Sequence, residues 1–137
     1  MKKLLFLLGI LFVGFSACKS DSDGLSLSLV LNEAIPIKVT QSLKNDQLGI
    51  SILMDSVLND SRCPSGGTCI WAGSAEVRFV FKINNTSTTF KLNTFLLPKD
   101  TTINGYTIKL LGLNPYPSTS TPISYDKYYA TILVQKN

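Results

Sequence analysis

Apolar and polar side chains alternate one for one along most of this chain. Leu25, Leu27, Leu29 and Leu31 are interleaved with Ser26 and Ser28, and the same period of two recurs in Ile35, Ile37 and Val39, in Leu48, Ile50, Ile52 and Met54, and in Ala75, Val77, Phe79, Phe81 and Ile83. Successive side chains of an extended chain point to opposite faces, so this period marks strands with one face buried. Pro36 has no N–H to give to a ladder and confines its strand to an edge or a strand start. The phase slips between Met54 and Val57, which predicts a bulge or bend at Asp55-Ser56. Residues 75–83 carry the strongest alternation, with Glu76, Arg78 and Lys82 on the opposite face, and are expected at the centre of a sheet. Asn84-Asn85-Thr86 then turns the chain into Thr88, Phe90, Leu92 and Thr94 as a hairpin. Asn104-Gly105 predicts a second tight turn, leading into Tyr106, Ile108 and Leu110. Between Phe95 and Ile103 no clear period emerges. Residues 115–122 hold three prolines and read as a long surface loop, after which Tyr128, Ala130, Ile132 and Val134 form a last strand.

About seven strands separated by turns, with no helical period beyond the N-terminal region, predict an antiparallel all-β fold. A β-sandwich of immunoglobulin-like architecture is the expected form, and a small β-barrel is the alternative, since strand count alone does not separate them. The organisation expected is a leader over residues 1–17, a tether over 18–24 and a single all-β domain over 25–137.

The leader is legible in its charges. Lys2 and Lys3 precede the apolar run from Leu4 to Phe15, and the small residues Ser16 and Ala17 lead into Cys18, the pattern of a secretory signal. The run falls short of the roughly 20 apolar residues that a spanning helix needs. Phe15-Ser16-Ala17-Cys18 resembles the lipobox of bacterial lipoproteins. The resemblance implies cleavage before Cys18, acylation of its sulfur and amine, and a mature chain held at a membrane by lipid. Several acyl chains make a durable anchor, each methylene contributing about 0.8 kcal/mol. Lys19-Ser20-Asp21-Ser22-Asp23 is similar to the acidic segment that follows the lipidated cysteine in surface lipoproteins of Bacteroidetes-type bacteria. That similarity implies the outer membrane and leaves the periplasmic and outward faces both open.

Composition changes the picture chiefly by exclusion. The formal charge of +4 includes Lys2 and Lys3; without them 11 basic side chains stand against 9 acidic ones, and no basic cluster suggests nucleic acid as a partner. With Cys18 assigned to lipid, two of the three cysteines remain, and Cys63 and Cys69 are expected to pair in an oxidising compartment. Pro64, Gly66 and Gly67 let the chain reverse between them. Chain-entropy scaling gives so small a ring about 2–2.5 kcal/mol. Five residues between the cysteines do not suit a redox dithiol, two thiols and no histidine fall short of the four Cys or His ligands a zinc site normally has, and a Ser-His-Asp triad is excluded. The carboxylates Asp55, Asp60, Glu76, Asp100 and Asp126 are scattered, and no phosphate-binding glycine loop occurs. No cofactor and no metal are expected.

Three side chains are candidate binding residues, Arg62 and Trp71 at the cysteine loop and Tyr116 in the proline-rich loop. Arg62 is expected to pair with Asp60 or Glu76 or to bond loop carbonyls, and alternatively to stand out as an anchor for a partner. Trp71, two residues beyond Cys69, is expected to cover the bridge, with a ligand-stacking platform as the alternative. Tyr116 is expected to fold back on the end of the domain, or else to offer a stacking surface. The run Asp60-Ser61-Arg62-Cys63-Pro64, a glycine-containing spacer, then Cys69-Ile70-Trp71-Ala72-Gly73 and an alternating strand resembles a recurring signature of small exported bacterial proteins and lipoproteins without assigned activity. The likeness is good over residues 60–80 and weaker in the tyrosine-rich last strand, and it implies a compact domain but no catalytic residues. The function expected is that of a non-catalytic binding or structural module, anchored by lipid to the cell envelope, with an envelope protein or a glycan as partner. Inhibition of a secreted hydrolase through the Cys63–Cys69 loop is the alternative.

Overall fold

A computed structural model describes residues 27–137; the leader, Cys18 and the tether lie outside the described residues. Eight strands follow in order: β1 (Ala34–Lys38), β2 (Ser42–Asn45), β3 (Ile50–Asp60), β4 (Ala75–Ile83), β5 (Thr86–Asn93), β6 (Asp100–Ile103), β7 (Tyr106–Asn114) and β8 (Tyr129–Lys136). They form two antiparallel sheets, ordered β2-β3-β4-β5 and β1-β8-β7-β6. The sheets pack face to face as a sandwich, and no barrel closes. Strands β2 to β5 and β6 to β8 run as meanders and β1 adds beside β8, without the Greek-key connections of immunoglobulin domains. Strand neighbours follow those of an up-and-down barrel, split where β1 meets β2 and where β5 meets β6.

Alternation puts Ile52, Met54, Val77, Phe79, Phe81 and Leu92 of one sheet against Ile37, Ile108, Ala130, Ile132 and Val134 of the other, all essentially without solvent contact. The strand over residues 75–83 is β4, and it lies inside its sheet as its pattern requires. Pro36 sits in β1 at a sheet edge. The register of β3 on β4 shifts between Met54 and Ser56 and again between Val57 and Asn59, so the slipped phase is a bulge. A further shift between Leu110 and Gly112 moves burial from Tyr106, Ile108 and Leu110 to Leu113 and leaves Leu111 exposed. Asn84-Asn85 and Asn104-Gly105 close two-residue hairpins, with Asn84, Asn104 and Gly105 at positive φ.

The structure corrects the reading of residues 25–31. Leu25 lies outside the described residues, and the remainder forms no sheet strand, only an isolated bridge between Ser28 and Lys44. The Leu29 N–H donates to the Lys44 carbonyl, and Asn45 Nδ2 donates to the Leu29 carbonyl, so the segment plugs the core with Leu29 beside the edge of β2. Two short strands, β2 and β6, and a 3₁₀ turn at Tyr125–Lys127 come in addition to the predicted elements.

Strand directions sort the connections into two groups. The turns at 46–49, 84–85 and 104–105 lie at the end where the described chain begins. The three long connections, 61–74, 94–99 and 115–128, lie together at the other end.

Candidate functional site

At this loop end stand all three polar or charged residues that are buried among the described residues: Arg62, Ser74 and Asn93. Arg62, at 7% exposure, is the hub. Its Nε and Nη2 donate to the two oxygens of Asp60 at 2.8 and 2.7 Å, Nη1 donates to the Leu113 carbonyl, and Nη2 also reaches the Pro115 carbonyl at 2.9 Å. The planar fork suits this division between a carboxylate and two carbonyls. Tyr128 Oη donates to Asp60 Oδ2 at 2.9 Å. Burial pushes the Asp60 carboxyl up, but its hydrogen bonds from Arg62 and Tyr128, with the arginine's charge, hold it below the ordinary value. Burial first and the Asp60 carboxylate second push the Tyr128 hydroxyl up to about 12. Arg62 therefore ties the end of β3 to the end of β7. The expected ion pair with Asp60 and bonds to loop carbonyls are present, whereas an arginine engaged this fully inside the protein is not the exposed anchor considered as the alternative.

The cysteine loop is fastened at several points. Cys63 and Cys69 are bonded, with Cα atoms 5.9 Å apart. The Ser65 N–H donates to the Pro117 carbonyl at 2.8 Å and the Thr119 N–H to the Ser65 carbonyl, so the loop lies along the proline-rich segment. Ser61 and Ser74 close its neck, the Ser61 N–H and Oγ both donating to the Ser74 carbonyl. Gly73 sits in that neck with φ +68°, where a Cβ would lie 1.8 Å from the Ser61 carbonyl oxygen, so no other residue fits without moving the backbone. Asn93 pins the neighbouring connection: its Oδ1 accepts from the N–H groups of Phe95 and Leu96 at 3.0 and 2.8 Å, and its Nδ2 lies 3.5 Å from Ser74 Oγ.

On this internally bonded base sits the largest concentration of exposed apolar side chains. Trp71 is 82% exposed, Ile70 94% and Leu97 87%, with Phe95 and Leu96 more than half exposed. Trp71, Phe95 and Leu96 line a groove of about 270 Å³ together with Ser61, Ala72, Gly73 and Ser74, and the Lys99 ammonium lies 5.6 Å from the centre of the Phe95 ring. The packing of Trp71 over the disulfide is corrected here. The chain bends at Ile70 and Trp71, which breaks the two-residue alternation, and an indole this exposed covers little of the bridge and instead lines a groove with Phe95. Tyr116 is half exposed, one side of its ring 5.0 Å from the Arg62 guanidinium and within cation–π range. It also lines a groove of about 380 Å³ walled by Pro115, Pro122 and Ile123. The structure thus brings Arg62, the disulfide and Tyr116 together, with Trp71 farther along the same 61–74 connection, beside the 94–99 loop.

Phe95, Leu96, Leu97, Ser74 and Asn93 were not among the candidates. The signal for the first three was available: three consecutive apolar residues before Pro98, in a stretch without strand period, have no place in an ordinary solvated loop. A larger recess of about 610 Å³ lies at the opposite end between residues 28–31 and 44–48. No helix among the described residues is long and apolar enough to cross a membrane. Comparison with protein-family models, with characterised proteins and with solved structures finds no match to the chain.

Proposed function

We propose that this chain is a lipid-anchored, non-catalytic binding module of the cell envelope, and that its contact surface is the apolar loop end. The observation that carries the reading is Trp71, exposed beside Phe95 and Leu96 on loops whose polar groups are satisfied internally. Contiguous exposed apolar surface marks interaction sites, and tryptophan is enriched among the residues that dominate binding energy. A protein partner fits better than a glycan. The Ser61 hydroxyl in the groove is already engaged with the Ser74 carbonyl, while sugar recognition needs free, convergent polar groups beside the ring. The carboxylates nearest this surface support a non-catalytic role: Asp60 is held by Arg62 and Tyr128, and Glu76 pairs with Lys91 at 3.2 Å. The lipid anchor and outer-membrane address rest on the lipobox-like Phe15-Ser16-Ala17-Cys18 and the segment after it. Inhibition of a secreted hydrolase through the Cys63–Cys69 loop is the weaker reading, because Arg62, the charged side chain such a loop would present, is internal.

The test uses the full chain in intact cells, with a photo-cross-linking residue at Ile70. A discrete protein adduct that disappears in Trp71→Ala, with the fold retained by circular dichroism, is the expected result. Absence of any protein adduct rejects the reading. Trp71 is the only tryptophan of the chain, so a blue shift of its emission on adding soluble glycan or lipid vesicles, which carry no tryptophan, assigns the surface to those instead. Protease treatment of intact cells, with a periplasmic control, decides which face of the membrane the module occupies.

A further inference from the structure

The sandwich has four sheet edges, and they are unequal. β1 carries Pro36. β2 has four residues and is flanked by the Leu29 segment through the Ser28–Lys44 bridge. β6 also has only four residues. These are the ways in which proteins blunt an exposed edge. β5 has eight residues, no proline, no glycine and no register shift. Its two-residue turn makes Ile83 and Thr86 a mutually bonded pair, so Thr86, Thr88, Phe90 and Leu92 direct their backbone groups to β4, and Ser87, Thr89 and Lys91 direct theirs to the open side. The Asn93 N–H, next in that series, is taken by the Pro98 carbonyl at 2.8 Å. Among the described residues nothing bonds the outward groups of Ser87, Thr89 and Lys91, and all three residues are exposed.

We propose that β5 pairs with β5 of a second copy of this chain, antiparallel about a two-fold axis at Thr89. Outward donors and acceptors at 87, 89 and 91 are self-complementary in that register. Thr89 pairs with Thr89 of the second copy and Ser87 with Lys91, giving about six backbone hydrogen bonds and one sheet of eight strands. A two-fold, isologous contact closes without propagating. Lysine on an edge ordinarily opposes such pairing. Here Lys91 is paired with Glu76 at 3.2 Å, and the symmetric register sets it opposite Ser87 rather than opposite its own copy. On the inner face the half-buried Phe90, stacked on Phe79 at 5.7 Å, gains Thr88 of the second copy as cover on its open side. The pairing stops short of the 94–99 connection and does not depend on the binding surface proposed above.

The test places single cysteines in the full chain in its membrane and applies a mild thiol oxidant. In the symmetric register the two Thr89 Cα atoms lie about 5.5 Å apart, within the range a disulfide spans, while Ser87 of one copy lies about 13 Å along the strand from Ser87 of the other. Thr89→Cys is therefore expected to give a covalent species of twice the chain's mass, Ser87→Cys none, and Ser87→Cys combined with Lys91→Cys the dimer again. Thr89→Pro, which removes an outward N–H without touching the β4 ladder, should abolish the dimer of the double-cysteine variant and leave the circular dichroism spectrum unchanged. No dimer from Thr89→Cys, equal yields from Thr89→Cys and Ser87→Cys, or a product of Thr89→Cys with a protein of different mass would each overturn the proposal.

Discussion

Removing Arg62 should unfold this domain's loop end more effectively than removing any exposed charge. The side chains of Arg62 and Asp60 are 5% and 9% exposed, so Arg62→Ala leaves a carboxylate in a poorly hydrated site and frees the Leu113 and Pro115 carbonyls. Breaking a buried pair on one side costs about 3–5 kcal/mol. The lower end applies, because Tyr128 still donates to Asp60 and a shallow groove lined by Asp60 and Tyr128 admits water; we expect about 3 kcal/mol. Arg78 provides the comparison. Its pair with Asp55 is 42% and 32% exposed, and such surface pairs contribute about 0–1 kcal/mol. Urea unfolding followed by far-ultraviolet circular dichroism reads both, as a displaced midpoint at unchanged slope. In thermal melts the Arg62 variant should lose roughly 10–15 °C, at about 4 °C per kcal/mol for a domain of this size. Arg62→Lys should recover less than half, since an ammonium cannot serve the carboxylate and two carbonyls at once. If Arg62→Ala costs no more than Arg78→Ala, the arginine is not the structural hub described here.

Asp60 titrates lower in the folded chain than its ordinary 3.8, so its contribution is complete above that value and is lost as pH falls through the lowered one. Stability should therefore drop in acid more steeply in the parent than in Arg62→Ala, and parallel acid limbs would contradict this. Replacing Cys63 and Cys69 together by serine should cost at most about 2.4 kcal/mol by chain entropy and leave both sheets folded; loss of the β-sheet spectrum at room temperature would show that the bridge holds more than its loop. Gly73→Ala and Gly105→Ala share a positive φ, but only the first meets backbone within 2 Å, and the second meets nothing within 4 Å. The former should cost more than about 2 kcal/mol and the latter about 1 kcal/mol, and equal melting temperatures would refute the steric argument.

The sheets were largely legible because their inner faces are uniform. Ala75, Val77, Phe79 and Phe81 alternate cleanly, Asn104-Gly105 has few uses other than a hairpin, and the slip from Met54 to Val57 has one physical cause. β2 escaped because Leu43 is its only buried side chain, and one residue makes no period. The leucines of 25–31 misled for the opposite reason. Their alternation is real, and Leu29 is fully buried, yet burial at a sheet margin does not require a ladder. At the loop end the pattern rules invert. Arg62, Asn93 and Ser74 are polar and inside, while Ile70, Trp71 and Leu97 are apolar and outside, and periodicity assigns each to the wrong side. Arg62 was partly recovered because Asp60 stands two residues before it. Asn93 was not, since its partners, the N–H groups of Phe95 and Leu96, belong to the backbone and leave no trace in residue type.

That inversion has an energetic consequence for binding. Exposed apolar side chains on free loops would collapse onto one another or onto the sandwich, but here Asn93 holds the N–H groups of Phe95 and Leu96, and the Ser74 carbonyl is bonded by Ser61 at the neck of the loop that carries Trp71, bonds that a collapse would break. Burying each large side chain against a partner contributes about 1.5–3 kcal/mol, so five give on the order of 10 kcal/mol, against roughly 4–15 kcal/mol lost in bringing two bodies together. The balance is close to zero, and any further cost of ordering the loops would remove binding altogether. Asn93→Ala, which contacts no partner but releases Phe95 and Leu96, should therefore reduce the cross-link yield from Ile70 as severely as Trp71→Ala does. A yield equal to that of the parent would mean that the loops need no holding and that the buried polar groups serve only the fold.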